Sequence, residues 1–588
     1  MQVQTQNKIF QNFLIFLCIL PAVFTGSLIV KYGVNVLFLD QLGVANYIYQ
    51  FFTFFNITPQ NWIAQHNESR LLFPRMIFIG LASLTRWDVR YEMFAMFFMA
   101  CLISINIYRL NKLTIGGSLT RLLIIVLISN ILIFSPVQYE NWLWGIQLIV
   151  FIPILCITSC ILISYSSMTA REKFFVCILL STISTFSYAN GLLCWIVVSP
   201  VLALNTLSDL KSKKWLGLAW ISAFIFNITV YFYNYQKPTH HPGFSYAVTH
   251  PIQSINYFLS FLGSPLAFGK FNTAKLVGLA LIMIFTGICI YLFKFRRERN
   301  LWYKMIGWLM IASYTISSAL ITTGGRVGFG ISQSLSPRYT TFSLYLIIAL
   351  ISLLVITIDD FIKKGFLINY NSWVKTIIFL LCTYLIFLQI VSSINAVKQM
   401  NVWRTERLQG KSCLLLVNIV QEKECLATKV NPNVDRVKFF ANGLNYLKFI
   451  NPGLIKSNNI KEIEGIPQLL PDNYGYGWFD NLQKERENTF NAMGWSRLPY
   501  REEPADAVIL TYENRQGEDI IFALSDSRTE RQDVANITKK QAYSMSGWQK
   551  VFSANSLPKS NLKISAWAFD AERGKAYKLN GLHILKNS

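Results

Sequence analysis

Uncharged apolar runs of about 18 residues or more recur along the first two thirds of this 588-residue chain, each long enough to cross roughly 30 Å of hydrocarbon. Inside a bilayer such runs must satisfy their backbone polar groups internally, which helices do. The expected fold class is therefore a polytopic α-helical membrane protein. The first run, residues 9–30, has only Lys8 before it and no small-residue cleavage site after it, so it is expected to be a retained span rather than a removed signal peptide.

The excess of 54 basic over 31 acidic residues would suit a nucleic-acid partner, but its distribution argues otherwise. Short basic clusters at Arg109–Arg121, Arg171–Lys173, Lys211–Lys214, Lys294–Lys304 and Lys363–Lys375 punctuate the apolar runs, as cytoplasmic anchors do. No aromatic-basic interleaving accompanies them, and no nucleic acid is expected as a partner.

Placing each cluster on the cytoplasmic side gives about eleven spans, near residues 12–36, 91–109, 121–136, 144–165, 173–189, 191–207, 215–233, 275–294, 304–322, 341–358 and 376–396. The scheme requires that 71–85 not cross. That stretch is short and bracketed by Arg70, Arg75 and Arg86, so it is expected as an interfacial helix. Outer loops are then 37–90, 136–143, 188–190, 234–274 and 323–340, with everything after 397 also outside. Three parts follow: a transmembrane domain (1–396), a helical connecting region (397–490) and a β-rich domain (491–588). In the last, DAVILTYE and DIIFALS flank ENRQGED as strands flank a hairpin turn, and a β-sandwich-like end to an extracytoplasmic α/β region is expected. Cys413 and Cys425 alone among the ten cysteines lie in this polar part, where an oxidising compartment would allow them to pair.

Residues 1–396 hold few acids, and the topology leaves Asp40, Glu68 and Glu140 outside near membrane ends. A carboxylate at Asp40, where the first span ends, suits the acceptance of a proton from a hydroxyl; a solvated helix end is the plain alternative. Glu68 serves equally as an ion-pair partner for Arg70 or Arg75. Arg70, Arg75, Lys237, Arg326 and Arg338 break the positive-inside pattern, and the guanidinium forks among them match phosphate oxygens. Headgroup anchoring would place any one of them there as well. His240 and His241 are adjacent and lack a third ligand at metal spacing, so no cofactor is expected, and a divalent metal is not indicated. A hydrogen-bonding role toward sugar or phosphate and a plain loop both fit them.

The acid after span one, the long first loop and the Arg338-Tyr339 pair entering a late span resemble the GT-C superfamily of membrane glycosyltransferases. QHNESRLLFPRM is similar to the first-loop signature of a bacterial branch of that superfamily, and YENWLWG, YANGLL and SPRY resemble its later motifs. The resemblance covers residues 1–396. It implies a polyprenyl-phosphate sugar donor, Asp40 as catalytic base, Arg338 as phosphate ligand, and His66, Glu68, Arg70 and Arg326 around the site. Gln41 stands where many relatives carry a second acid, which speaks against a metal-assisted version. GWSRLP, RQDVAN and SGWQKVF resemble a small β domain appended to glycan-related surface proteins.

The reading that results is an inverting glycosyltransferase of the bacterial cytoplasmic membrane, working on its outer face among membrane lipids. Arg75, Glu140, His240, His241 and Tyr339 complete its expected substrate-binding set, and the acceptor is a glycan, lipid or protein. A lipid-linked glycan polymerase or ligase is the alternative. A transporter would place ionisable groups at mid-membrane depth, where this chain has almost none.

Overall fold

The computed structural model describes residues 2–55, 57–239, 241–267, 269–365, 372–420, 422–468 and 474–586. Among them, eight helices are long and apolar enough to cross a membrane: Lys8–Tyr32, Arg90–Thr114, Leu119–Leu143, Gly145–Ser164, Trp215–Phe232, Phe271–Lys294, Arg299–Phe329 and Pro337–Lys363. The remaining expected spans correspond to the shorter helices Ala170–Thr185 and Leu193–Asn205 and to the long helix Ser372–Leu415. The protein is thus a polytopic helical membrane protein with a separate sheet region at its C-terminal end.

The chain divides into two compact units. The first comprises residues 1–33, 57–78 and 90–401. Its centre is formed by Gly145–Ser164 and Pro337–Lys363, each with 78% of its apolar window buried, whereas Lys8–Tyr32 is only 28% buried and presents Phe13, Phe16 and Val23 outward. Since lipid is as apolar as leucine, close packing rather than hydrophobic transfer must join such helices. The pair Pro251–Gly263 and Phe271–Lys294 shows how: a Cβ on Gly263 would lie 1.9 Å from the Ala274 carbonyl oxygen, and one on Gly278 would lie 1.9 Å from that of Leu259. Only glycine permits this approach.

The segments expected on the cytoplasmic side meet at one end of these helices. Arg121 pairs with Asp359 at 2.9 Å, Lys364 with Glu298 at 2.8 Å, and the Tyr165 hydroxyl donates to the Tyr303 carbonyl at 2.7 Å. The segments expected outside meet at the other end, where the Ala189 N–H donates to Ser69 Oγ at 3.0 Å and Asn141 Nδ2 to the Arg338 carbonyl at 3.0 Å. The stretch 71–85 forms the helix Leu72–Thr85, whose 14 residues span only about 21 Å.

The second unit comprises residues 34–56, 79–89 and 402–588, so it takes in parts of the first long loop as well as the C-terminal region. Helix Gln41–Phe54 packs on helix Val434–Tyr446, with Tyr49 edge-on to Phe439 at 6.0 Å and with Phe52 edge-on to Phe449 at 4.9 Å. Ten strands occur in the described chain. The pair β1 (Gln65–His66) and β2 (Ser69–Arg70) belongs to the first unit, and the other eight lie here. An antiparallel sheet of β3 (Gly477–Arg486), β4 (Thr489–Ser496) and β7 (Gly547–Ser553) faces a second sheet. The latter runs β10 (His583–Lys586), β8 (Asn561–Asp570), β5 (Ala507–Glu513), β6 (Asp519–Ser525), with β9 (Lys575–Lys578) also on β8. Phe479, Phe490 and Trp548 from one sheet and Leu510, Ile564 and Tyr577 from the other share one core. ENRQGED makes the β5–β6 turn: Asn514 Oδ1 accepts from the N–H groups of Gln516 and Glu518 at 2.8 and 2.9 Å, and Gly517 takes φ 77°.

Helix Ser372–Leu415 runs unbroken through residue 397, and the first sandwich strand begins at Gly477, ahead of 491. Strand β3 escapes the sequence pattern because its second half, NLQKER, carries one apolar residue, Leu482, and its last four residues are exposed. The connecting region is fastened to the sandwich by Arg404–Glu503 at 2.7 Å, Lys429–Asp526 at 2.6 Å and Glu422–Lys550 at 2.7 Å. Cys413 and Cys425 form a disulfide across a separation of 12 residues.

Candidate functional site

The motif QHNESR folds as a minimal hairpin, β1 and β2 joined by Asn67 and Glu68, with Asn67 in the left-handed region at φ 50° that asparagine tolerates. His66 pairs with Ser69 across it and is half-buried. The turn projects Glu68 between a guanidinium and an imidazole: its Oε2 accepts from Arg326 Nη2 at 2.9 Å, and its Oε1 contacts His241 Nδ1. Phe329 lies beside both of these groups, 5.9 Å from the Arg326 guanidinium and edge-on to the His241 ring at 5.8 Å. The hairpin itself is tied down by the Tyr231 hydroxyl, which donates to the Glu68 carbonyl at 2.5 Å, and by Gln65, whose Oε1 accepts from the Gln236 N–H at 3.0 Å.

Arg70 and Arg75 have different surroundings. Arg70 is 5% exposed and donates from Nε to the Tyr231 carbonyl at 2.5 Å, from Nη1 to Ile63 at 2.7 Å, and from Nη2 to Tyr233. Arg75 is 2% exposed, and its Nη1 donates to the Asn61 and Trp62 carbonyls at 3.1 and 2.7 Å. Both guanidiniums clamp loop backbone at the ends of helices. A carbonyl buried without a donor would cost about 1–3 kcal/mol, so these clamps hold the hairpin in place.

Glu140, on helix Tyr139–Leu143, lies at the N-terminus of helix Pro337–Lys363. Its carboxylate accepts from the Ser336 hydroxyl at 3.5 Å and from the Arg338 backbone N–H, and the Arg338 charge acts on it. Asn141 fixes the same turn through the Arg338 carbonyl. Tyr339 is 7% exposed and stacks on Phe261 at 5.6 Å, with the Arg338 guanidinium 5.4 Å from its ring centre.

Two tyrosines not singled out from the sequence connect these groups. The Tyr188 hydroxyl feels Arg326, Glu68, Arg338 and Tyr339, and the Tyr257 hydroxyl feels Arg326, Arg338, Tyr339 and Tyr188. Burial pushes both hydroxyls well above the usual tyrosine range, outweighing the two guanidiniums, so each stays protonated as a donor. Tyr257 Oη, Ser260 Oγ and Gln333 Oε1 are buried without a hydrogen-bond partner among the described residues, which is what a polar ligand would relieve. Tyr188 lies in the YANGLL stretch and could have been taken from it. Tyr257 and Ser260, at i and i+3 in an apolar helix of the 234–274 loop, gave only the faint signal of polar groups on an apolar face.

Asp40 belongs to the second unit. The first helix ends at Tyr32, and Asp40 instead occupies the N-cap position of helix Gln41–Phe54, exposed and without a side-chain capping bond. The segment before it is fixed: the Leu39 N–H donates to the Val430 carbonyl at 2.8 Å, Asn431 Nδ2 donates to the Leu39 carbonyl at 3.2 Å, and the Arg407 guanidinium lies 3.5 Å over the Phe38 ring. His240 lies outside the described residues. Among those described, one trio of donors is close enough to hold a metal, Cys413, Cys425 and Asp526, and its two thiols are consumed by the disulfide.

No protein-family model matches the sequence, and no curated protein matches it. Among solved structures, the chain is similar to the crystal structure of ArnT from Cupriavidus metallidurans bound to undecaprenyl phosphate, with 12% identity over 72% of this chain and 87% of that one and a TM-score of 0.36. A likeness at that level leaves the chemistry to be argued from this chain's own residues.

Proposed function

We propose that the protein is an inverting GT-C-type glycosyltransferase that moves a sugar from a polyprenyl-phosphate donor to a glycan, lipid or protein acceptor on the outer face of a bacterial cytoplasmic membrane. The observation that carries this reading is the presence, at one end of a bundle of apolar spans, of Arg326 held on Glu68, Arg338 over Tyr339, and the buried, unpartnered Tyr257 and Ser260 hydroxyls, with the charge of both arginines acting on Tyr188 and Tyr257. Two guanidiniums and neutral donors at the edge of hydrocarbon suit a lipid phosphate, whose tail needs the bilayer and whose head needs cations. Arg70 and Arg75 then support the loop, Glu68 and His241 orient Arg326, and Glu140 orients Arg338.

In the reaction, the acceptor hydroxyl gives its proton to Asp40 while its oxygen bonds to the anomeric carbon. The bond from that carbon to the phosphate oxygen breaks on the opposite face, and its electron pair leaves on the lipid phosphate. Arg326 and Arg338 stabilise the charge that grows there. Asp40 suits the base because its carboxylate is exposed and uncapped. A second reading, with Glu68 as base, draws on its contact with the His241 ring. Transfer from a defined polyprenyl-phosphate sugar, followed by release of the free lipid phosphate, separates the two. Asp40→Asn is expected to retain donor binding and lose about a hundredfold or more in transfer, the usual contribution of a general base. Near-normal turnover of Asp40→Asn together with abolition by Glu68→Gln would move the base to Glu68, and absence of any sugar transfer by the native protein would remove the proposal.

A further inference from the structure

Five cations of the second unit sit in tight ion pairs, Arg404 with Glu503, Lys429 with Asp526, Arg501 with Asp506, Arg531 with Asp480 and Lys550 with Glu422, all within 2.7 Å. Four cations outside such pairs converge on one concavity. A cleft of about 710 Å³ is lined by Lys448, Lys456, Arg573 and Lys575, and none of the four is in an ion pair among the described residues. Its walls are the loop after helix Val434–Tyr446 and the β8–β9 turn, pressed together so closely that a Cβ on Gly574 would lie 2.6 Å from Pro452 Cγ. Lys448 and Gly453 turn the loop through the left-handed region at φ 59° and 116°. The Arg573 guanidinium lies 3.4 Å over the Tyr500 ring, a stack that holds its plane while keeping N–H groups for an anion. Lys575 Nζ touches only the Glu464 carbonyl, at 3.3 Å, among described partners.

Four cations and one carboxylate, Glu462, line this concavity, an excess of positive charge that repels itself unless a further anion joins it. The other lining groups narrow its class. Tyr446, 83% exposed at the rim, offers an aromatic face of the kind on which a sugar ring lies, and Glu462 places an acceptor among the cations, where a dense polyanion would be repelled and a hydroxyl would be welcomed. We propose that this cleft binds an acidic oligosaccharide, a chain carrying both carboxylate or phosphate groups and free hydroxyls. The inference stands on the cleft alone and does not depend on the catalytic reading above.

The test uses the full-length protein in detergent and tetragalacturonate as probe, with a neutral galactose tetramer as control. Tetragalacturonate should bind, weaken as salt screens the cations over a Debye length falling below about 8 Å, and outcompete the neutral tetramer. Lys456→Gln and Arg573→Gln should each weaken binding by about tenfold, the scale of one charge-assisted contact, and Tyr446→Ala should weaken it further, all with unchanged thermal unfolding. Binding that is indifferent to all three substitutions would overturn the proposal. So would equal or tighter binding of inorganic polyphosphate or single-stranded DNA that Tyr446→Ala leaves untouched, which would make the cleft a general polyanion surface.

Discussion

Arg70→Lys separates a clamp from a ligand. The guanidinium of Arg70 serves three carbonyls in three directions, those of Tyr231, Ile63 and Tyr233, from a side chain that is 5% exposed. An ammonium on an unbranched stem keeps the charge but reaches one of them, leaving two without their donor. Hydrogen bonds to a charged group contribute about 1.5–3 kcal/mol each, and two of the three contacts are only part-buried, where water replaces some of the loss, so the expected destabilisation is about 2–4 kcal/mol. It should be seen as a lower unfolding temperature in detergent and as faster proteolysis within residues 57–70. At a temperature where the variant is folded, affinity for a polyprenyl-phosphate sugar should be close to native. A variant as stable as the native protein that has lost donor affinity would show that Arg70 holds substrate, and the clamp argument would fall.

Arg338→Lys keeps the charge and loses the fork, so transfer should drop by about one to two orders of magnitude with the fold intact; unchanged donor affinity and turnover in both Arg338→Ala and Arg326→Ala would place the lipid phosphate elsewhere. Cysteines introduced at Thr58, Ser245 and Gly330 should react with an impermeant reagent added outside the cell, whereas labelling at Ile115 from outside would reverse the topology. Gly278→Leu should prevent the approach of Phe271–Lys294 to Pro251–Gly263 and abolish a stable fold, since the backbone oxygen 1.9 Å from the added Cβ cannot move aside as a side chain could; normal yield and unfolding temperature would contradict that packing. Cys413→Ser should lower stability by about 2–4 kcal/mol, read from thermal unfolding with and without reductant, and an unchanged unfolding temperature would show the crosslink to be dispensable.

The sequence by itself determined the membrane architecture, because the cost of burying a charge in hydrocarbon is local and is paid residue by residue along the chain. The spans and the grouping of loops at two ends follow from where Lys and Arg interrupt apolar runs, and the Asn514–Gly517 turn follows from residues that make it within themselves. What each polar residue does was decided only by tertiary structure. Arg70 on β2 and Arg326 at the end of a long helix carry the same side chain, yet one finds three carbonyls, two of them some 160 positions away, and the other finds Glu68, 258 positions away. The same reason hid Tyr257, whose surroundings are supplied by other helices, and hid the membership of residues 34–56 in the C-terminal unit. Contacts between segments distant in sequence leave no period or composition in either segment, so neither the guanidiniums' partners nor the cleft of unmatched cations around Arg573 could be read before the chain was folded.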